Sequence, residues 1–104
     1  SSVVGSIKMT FPGQNFYRAS KAALNMSMRT IAKELRSSKD PQRKQVIVGL
    51  IHPGVVATDF AKNVPIPMIS PEESAAGVIA VIDTYTSVKQ SGDFMSYTGS
   101  ELPW

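Results

Sequence analysis

The stretch Val46-Ile47-Val48-Gly49-Leu50-Ile51 decides the fold class of this chain. It is a short, continuous apolar run, rich in β-branched residues, with a charged loop before it and His52-Pro53-Gly54 after it. Such a run is typical of a strand that is buried on both faces, as strands of parallel sheets are. The sequence therefore predicts a parallel sheet with this strand inside it.

Helical patterns flank the strand on both sides. After it, Ser70-Pro71-Glu72-Glu73 is a strong helix start, because serine can cap, proline suits the first turn and glutamate completes a capping box. A last strand is predicted at residues 93–97, where the pattern alternates. Before the central strand, residues 17–36 carry an apolar stripe with helical spacing. Its members are Tyr17, Lys21, Leu24, Met28, Ile31 and Leu35. This order of elements predicts an α/β unit with parallel strands.

The two faces of the first helix have different compositions. We expect the stripe to face the body of the fold. The opposite side carries small or flexible side chains, namely Ala19, Ala22, Ala23 and Met26. They suit close packing with another helix, across a subunit boundary, and they equally suit the high helix propensity of alanine. Both interpretations stay open.

Length and composition set the class of protein. With 104 residues, 42% of them hydrophobic, and no cysteine, the chain has the size of one ordinary domain and no disulfides. No apolar run approaches the ~20 residues of a membrane helix. Ser1-Ser2-Val3-Val4-Gly5 resembles the end of a strand and its turn, so we expect the chain to begin inside a larger fold. The prediction is one partial domain, residues 1–104, of a cytoplasmic protein without a membrane partner.

A cluster of basic residues supplies much of the net charge of +3. Its members are Arg29, Lys33, Arg36, Lys39, Arg43 and Lys44. Basic patches suit nucleic acid, but cations also complement the carboxyl end of a helix, and no aromatic residues interleave here as a stacking platform requires. We therefore predict a solvated helix end and no nucleic-acid partner.

Tyr17 and Lys21 form the chemically most informative pair. Four residues apart, they project from one face of the helix. A free phenol loses its proton near pH ~10, and a positive charge within a few ångströms favours the phenolate. A lysine at this spacing can supply that charge, so the pair predicts a proton donor.

Other polar residues suggest less. His52, the only histidine, is interpreted as a hydrogen-bonded residue at the strand end, and no residues have metal-ligand spacing. The irregular loop over residues 59–69 follows a buried strand, a usual place for ligand contacts. Its apolar residues suggest an apolar wall for a substrate: Phe60, Val64, Ile66 and Met68.

Three motifs in the right order resemble the short-chain dehydrogenases and reductases. Tyr17-Arg18-Ala19-Ser20-Lys21 matches the Tyr-x-x-x-Lys motif, Pro53-Gly54 with Thr58-Asp59 matches a Pro-Gly-x-Val-x-Thr-Asp loop, and Ser1-Ser2-Val3-Val4-Gly5 resembles the segment with the catalytic serine. The subgroup it resembles most is that of C-factor or Sniffer-like carbonyl reductases. The resemblance covers the whole chain and implies the carboxyl-terminal portion of a Rossmann-type, doubly wound parallel sheet, without the amino-terminal dinucleotide-binding half.

The resemblance also implies roles for individual residues. Tyr17 would be the general acid that protonates a carbonyl oxygen, and Lys21 would support it and bind the nicotinamide ribose. Ser2 would hold the substrate oxygen. Four residues would line the nicotinamide of NADP or NAD: Pro53, Gly54, Val55 and Thr58. The implied partners are a small carbonyl or alcohol substrate and a second copy of the chain, through the helix over residues 17–36.

The sequence also departs from the family pattern. No Gly-x-x-x-Gly-x-Gly turn occurs, and the residues that select between the two nicotinamide cofactors are absent with it. The spacing from Ser2 to Tyr17 is slightly wide, so Ser6 stays open as an alternative, with Ser2 preferred. Two functions are compatible with these features. One is an NAD(P)-dependent oxidoreductase, and the other is a truncated module that binds a partner protein or has no activity.

Overall fold

The computed structural model of the chain describes residues 1–61, 63 and 65–104, and of Phe60 the backbone alone. In the described residues, helices α1 (Asn15–Arg36) and α2 (Pro41–Lys44) precede strand β1 (Leu50–His52), and helix α3 (Pro71–Thr84) follows it and precedes strand β2 (Phe94–Ser96). Three 3-10 turns complete the order of elements, at Val3–Gly5, Asp59–Ala61 and Val88–Gln90. No helix in this described part is long and apolar enough to cross a membrane.

The two strands pair in parallel, as the sequence predicts. Leu50 lies opposite Phe94, and His52 lies opposite Ser96. Leu50 and Phe94 are both buried and form the centre of the core with Ala32 and Val81. The α/β class is therefore confirmed.

The central strand is shorter than predicted. Residues 46–49 are not part of β1, and Val46 is 46% exposed. At Val48 the backbone N–H donates to the Ser91 hydroxyl at 3.0 Å, and the carbonyl accepts from Gly92 N at 2.8 Å. A side-chain hydroxyl thus takes the place of a strand partner, which ends the ladder. Burial on both faces is also wrong on either side of Leu50, because Gly49 is exposed and Ile51 is only half-buried.

Helix α1 begins and ends close to the predicted bounds, but it buries a different face. The buried residues are Arg18, Asn25 and Ala32. Of the predicted stripe, Leu24 and Ile31 are 39% and 38% exposed, and its other four members are only half-buried. The physical reason is the short distance to Gly5: a Cβ atom there would lie 2.7 Å from the Lys21 carbonyl carbon. A helix that approaches another backbone so closely needs small or hydrogen-bonding side chains at the contact, not large apolar ones.

The alanine-rich side of α1 is divided by the same contact. Ala22 is half-buried and faces Gly5, so it does not lie on an outer surface. Ala19, Ala23 and Met26 remain exposed. Pairing of two copies through α1 stays a prediction.

Helix α3 has the cap that the sequence predicts. The Ser70 hydroxyl accepts from Glu73 N at 3.1 Å, and Pro71 occupies the first turn. Inside the helix, the buried Ser74 hydroxyl donates to the Pro53 carbonyl at 2.7 Å. Helix α3 therefore holds the bend that follows β1.

Residues 99–104 fold back onto the core. The Trp104 ring stacks on Phe94 with centroids 5.2 Å apart, and the Arg29 guanidinium lies 4.5 Å from the centroid of the same ring. The Trp104 carbonyl accepts from Lys8 N and from the Ser6 hydroxyl. This tail thus joins β2, α1 and the loop before α1.

We expect alkaline pH to destabilise the chain through Tyr85. Its hydroxyl donates to the Asp93 carbonyl at 3.1 Å, and burial, with the Asp93 carboxylate as a second cause, raises the pKa of Tyr85 to about 12. The folded chain therefore favours the neutral phenol. The contribution of Tyr85 to the free energy of unfolding is complete below the ordinary tyrosine pKa near 10, and it is lost as pH rises from 10 to 12. Urea unfolding should show that the free energy of unfolding falls by about 1 kcal/mol over that pH interval, after allowance for solvent exposure. The Tyr85→Phe variant should lack this fall. Equal losses in both proteins would contradict the assignment.

Candidate active site

Helix α1 brings Tyr17 and Lys21 together in its first two turns. The Lys21 ammonium lies 5.5 Å from the centroid of the Tyr17 ring, and both side chains are half-buried. The helix begins at Asn15, so both residues lie near its amino end. The predicted adjacency of phenol and ammonium is present.

The serine segment, residues 2–6, packs against the same part of α1. It contains the 3-10 turn Val3–Gly5, capped by the Ser2 hydroxyl, which accepts from Val4 N at 3.3 Å. Gly5 lies against the backbone of Lys21 and Ala22. Contact between these backbones places the segment that carries Ser2 beside the turn of α1 that carries Lys21.

Ser2 and Ser6 lie in different surroundings. Ser6 is 1% exposed, and its hydroxyl donates to the Trp104 carbonyl at 3.1 Å while it accepts from Met9 N at 3.2 Å. Ser2 is half-buried, and its hydroxyl accepts one backbone N–H. A buried hydroxyl with both roles used cannot reach a substrate, so this geometry favours Ser2. Its catalytic role remains a prediction.

The bend after β1 requires a glycine. Gly54 has φ of 84°, and a Cβ atom there would lie 2.8 Å from Tyr97 Cε1. Val55 and Ile69 are joined by a backbone hydrogen bond of 2.9 Å, which closes the base of the long loop. Thr58 is exposed just beyond. The carboxyl end of β1 is where parallel sheets bind ligands. The four residues predicted to line a nicotinamide follow that end directly: Pro53, Gly54, Val55 and Thr58.

The proposed apolar wall is described only in part. Ile66 and Met68 are exposed. Val64 and the side chain of Phe60 lie outside the described residues. The wall therefore stays a prediction.

His52 joins the bend to the serine segment. Its Nδ1 accepts from Val3 N at 3.2 Å, which confirms the interpretation of a hydrogen-bonded residue at the strand end. Burial lowers the pKa of His52, and the nearby amino group of Ser1 adds to the effect. The neutral imidazole can therefore accept this bond. Within the described residues, no group of three histidine, cysteine or acidic side chains could hold a metal ion.

Two polar residues of α1 contribute more to the site than their sequence pattern suggests. Asn25 is buried, and its carbonyl oxygen accepts from the Ser1 hydroxyl. Arg18 is 8% exposed and donates to backbone carbonyls of the serine segment and of the loop before α1. Their spacing of seven residues, two turns on one helix face, is the signal that could have identified them.

A cleft of about 410 Å³ lies between the loop before α1 and the helix itself. Gly5, Ser6, Phe11, Arg18 and Ala22 line it, among others. Neither Tyr17 nor Lys21 does, so this cleft is on a different face of α1 from the chemical pair.

Comparison with known proteins identifies the family. The model of the short chain dehydrogenases matches residues 1–67, a range that includes the serine segment, both residues of the chemical pair and the Pro53-Gly54 bend. The chain belongs to the short-chain dehydrogenase family. The resemblance noted from the sequence is thus confirmed at the level of the family.

Individual members of the short-chain dehydrogenase family are similar over the whole chain. A 1-hydroxy-2-glutathionyl-2-methyl-3-butene dehydrogenase from Rhodococcus sp. strain AD45 is 43% identical over 107 aligned residues. The carbonyl reductase Sniffer of D. melanogaster superimposes with a TM-score of 0.79 at 33% sequence identity. A carbonyl reductase from chicken fatty liver, solved with NADPH bound, superimposes with a TM-score of 0.83 at 32% sequence identity.

The chain spans less than half of each of these relatives. It covers 44% of the Rhodococcus dehydrogenase, 39% of Sniffer and 40% of the chicken enzyme, while all of its own residues are matched. The two parallel strands with helices α1 and α3 are therefore part of a Rossmann-type fold, as the resemblance implies.

Proposed function

We propose that the chain carries the proton-transfer and nicotinamide-side part of an NAD(P)-dependent oxidoreductase that reduces a carbonyl or oxidises an alcohol. One observation carries the proposal: the serine segment contacts both other motifs. Gly5 contacts the backbone of Lys21, and Val3 donates to His52, the residue before Pro53. The serine segment thereby lies between the turn of α1 that carries Lys21 and the carboxyl end of β1 at His52.

Tyr17 is the proton donor in this proposal. The substrate carbonyl oxygen would lie between the Tyr17 and Ser2 hydroxyls, so that the phenol can protonate it while the serine donates a hydrogen bond to the developing charge. The ammonium of Lys21 lies beside the Tyr17 ring, where its charge would balance the negative charge left on the phenolic oxygen. In the alcohol direction Tyr17 would accept the proton instead.

The residues at the bend fit the nicotinamide part of a cofactor. Gly54 packs against the side chains of Tyr97 and Ile69, which fix the bend at the carboxyl end of β1, and Lys21 can donate to ribose hydroxyls. The cofactor, when bound, supplies the hydride. NADPH in the chicken carbonyl reductase supports a nicotinamide cofactor here. The choice between NADP and NAD stays open.

A second candidate function is a protein-interaction module without turnover. The observation that favours it is the absence of a Gly-x-x-x-Gly-x-Gly turn from the 104 residues. Such a turn holds the cofactor's pyrophosphate, so the chain alone would miss a large share of the binding energy.

Nicotinamide fluorescence separates the two functions. NADPH would be titrated with the 104-residue chain and with the same chain joined to the amino-terminal portion of Sniffer that it does not match. Binding and carbonyl-dependent oxidation of NADPH by the joined protein alone would support the oxidoreductase. A joined protein that folds and binds NADPH but turns over none of a panel of aldehydes, ketones and quinones would contradict it.

Lys21→Ala should weaken both cofactor binding and turnover in the joined protein. The change removes a charged hydrogen bond to the ribose, about 1.5–3 kcal/mol, or roughly 10- to 100-fold in Kd for NADPH. Removal of the charge beside Tyr17 should lower kcat as well. Lys33→Ala is the matched control, since it removes an exposed lysine from the same helix. Unchanged Kd and kcat in Lys21→Ala would show that the ribose contact is wrongly assigned.

A further inference from the structure

We propose that Arg18 is a positioning residue that fixes the serine segment on α1 and thereby sets where Ser2 lies relative to Tyr17 and Lys21. Arg18 directly follows Tyr17 in the chain, yet it projects from a different part of the helix surface and is buried, whereas Tyr17 is half-buried. The catalytic consequence rests on the proposed function, whereas the structural part stands on contacts alone.

The guanidinium of Arg18 connects two separate pieces of backbone. Its Nη1 donates to the Val4 carbonyl at 3.4 Å, inside the serine segment, and its Nε donates to the Gly13 carbonyl at 3.0 Å, just before α1. The Phe11 ring lies 3.9 Å from its central carbon. A planar fork with several donors suits such a connection, and the single ammonium of a lysine does not.

The cost of burying Arg18 indicates that its geometry is needed. Its Nη2 is buried and has no hydrogen-bond partner among the described residues, and the two acceptors of the side chain are neutral carbonyls. A buried, incompletely paired charge costs stability that an apolar side chain would not. What the arginine adds is a defined distance between α1 and Val4, two residues after Ser2.

Gly5 makes this distance short. The residue after Val4 lies against the backbone of Lys21 and Ala22, and the latter is four positions beyond Arg18 on the same helix face. Arg18 thus holds the serine segment at one turn of α1, while Gly5 lets it touch the next. Ser2 cannot shift along α1 without losing one of these contacts.

Hydrogen exchange of the 104-residue chain tests this assignment without any cofactor. The Gly5 and Ser6 amides, bonded within the serine segment to the Ser2 and Val3 carbonyls, report its local opening. In Arg18→Lys their protection factors should fall about tenfold relative to amides in the middle of α1, since a lost charged hydrogen bond of about 1.5 kcal/mol corresponds to that ratio.

Arg29→Lys is the matched control. Arg29 lies on the same helix and also contacts a backbone carbonyl, that of Gly92 at 3.3 Å, and an aromatic ring, that of Trp104. Its side chain contacts Gly92 and Trp104 rather than residues 2–6. Because the Trp104 carbonyl accepts from the Ser6 hydroxyl, the Gly5 amide, bonded to the Ser2 carbonyl, is the reporter in this control, and its protection factor relative to the middle of α1 should stay within about twofold of wild type. A uniform loss of protection along the chain in Arg18→Lys, or an equal selective loss in Arg29→Lys, would overturn the proposal.

Kinetics of the joined protein separate this inference from the proposed function. Arg18→Lys should lower kcat about 100-fold, the cost of a misplacement of about 1 Å, with Kd for NADPH unchanged, while Arg29→Lys should keep kcat. A wild-type kcat in Arg18→Lys would overturn the positioning role. A wild-type joined protein without turnover would instead contradict the proposed function, and the exchange result would still decide whether Arg18 holds the segment.

Discussion

Tyr17→Phe is expected to reduce kcat for carbonyl reduction at least about 10²-fold, with the fold and the affinity for NADPH nearly unchanged. The substitution removes one oxygen and leaves the ring that lies 5.5 Å from the Lys21 ammonium. Because the phenol is the proposed proton donor, its loss should affect the chemical step and leave cofactor binding intact.

Steady-state kinetics of the joined protein, with fluorescence titration of NADPH, measure both quantities. Tyr85→Phe is the control. The Tyr85 hydroxyl donates to the Asp93 carbonyl just before β2, at the opposite end of the sheet from the bend. This variant should keep kcat at neutral pH. Full activity in Tyr17→Phe would discard the proposed acid, and an equal loss in both variants would point to general damage.

Gly5→Ala should destabilise the chain by about 1–3 kcal/mol and lower kcat together. An added Cβ would lie 2.7 Å from the Lys21 carbonyl carbon, 2.8 Å from its oxygen and 2.9 Å from Ala22 N. All three are backbone atoms, which cannot swing aside as the end of a side chain can. The serine segment and α1 must therefore separate, which moves Ser2 away from the chemical pair.

Gly49→Ala is the matched control for this overpacking. Its added Cβ would lie 3.2 Å from the Tyr85 ring, a side chain that can shift by a few tenths of an ångström. Part of that strain is offset because alanine restricts the unfolded chain, by about 0.4–1 kcal/mol. Urea unfolding and kcat of both variants check the prediction. A Gly5→Ala variant as stable and active as Gly49→Ala would show that the two backbones are not in contact.

The elements that the sequence predicts correctly are those set by local chemistry. The serine cap at Ser70 and the helical spacing from Tyr17 depend on residues within one or two turns, so helices α1 and α3 follow from the sequence. The β-branched run before His52 identifies a parallel strand, although neither its length nor how far it is buried. Ser91, 43 positions after Val48 in the sequence, ends the ladder, and no local pattern announces that contact.

The candidate active site could be predicted partly from the sequence and partly only from the tertiary structure. The spacing of Tyr17 and Lys21 and the glycine at position 54 could be interpreted from the sequence. The choice between Ser2 and Ser6 could not be made from the sequence. It depends on the Trp104 carbonyl, 98 positions after Ser6, which accepts a hydrogen bond from the Ser6 hydroxyl.

By itself, the sequence determined the class of fold, the family and the pairing of phenol with ammonium, since each element and each motif is set by residues a few positions apart. Only the tertiary structure decided which face of α1 is buried, because that face is selected by the close approach of Gly5 rather than by hydrophobicity. It also decided that Arg18 turns inward to two distant carbonyls. Contacts between backbones, and hydrogen bonds to backbone carbonyls, do not require apolar side chains, so they leave no mark on the hydrophobic pattern of the helix.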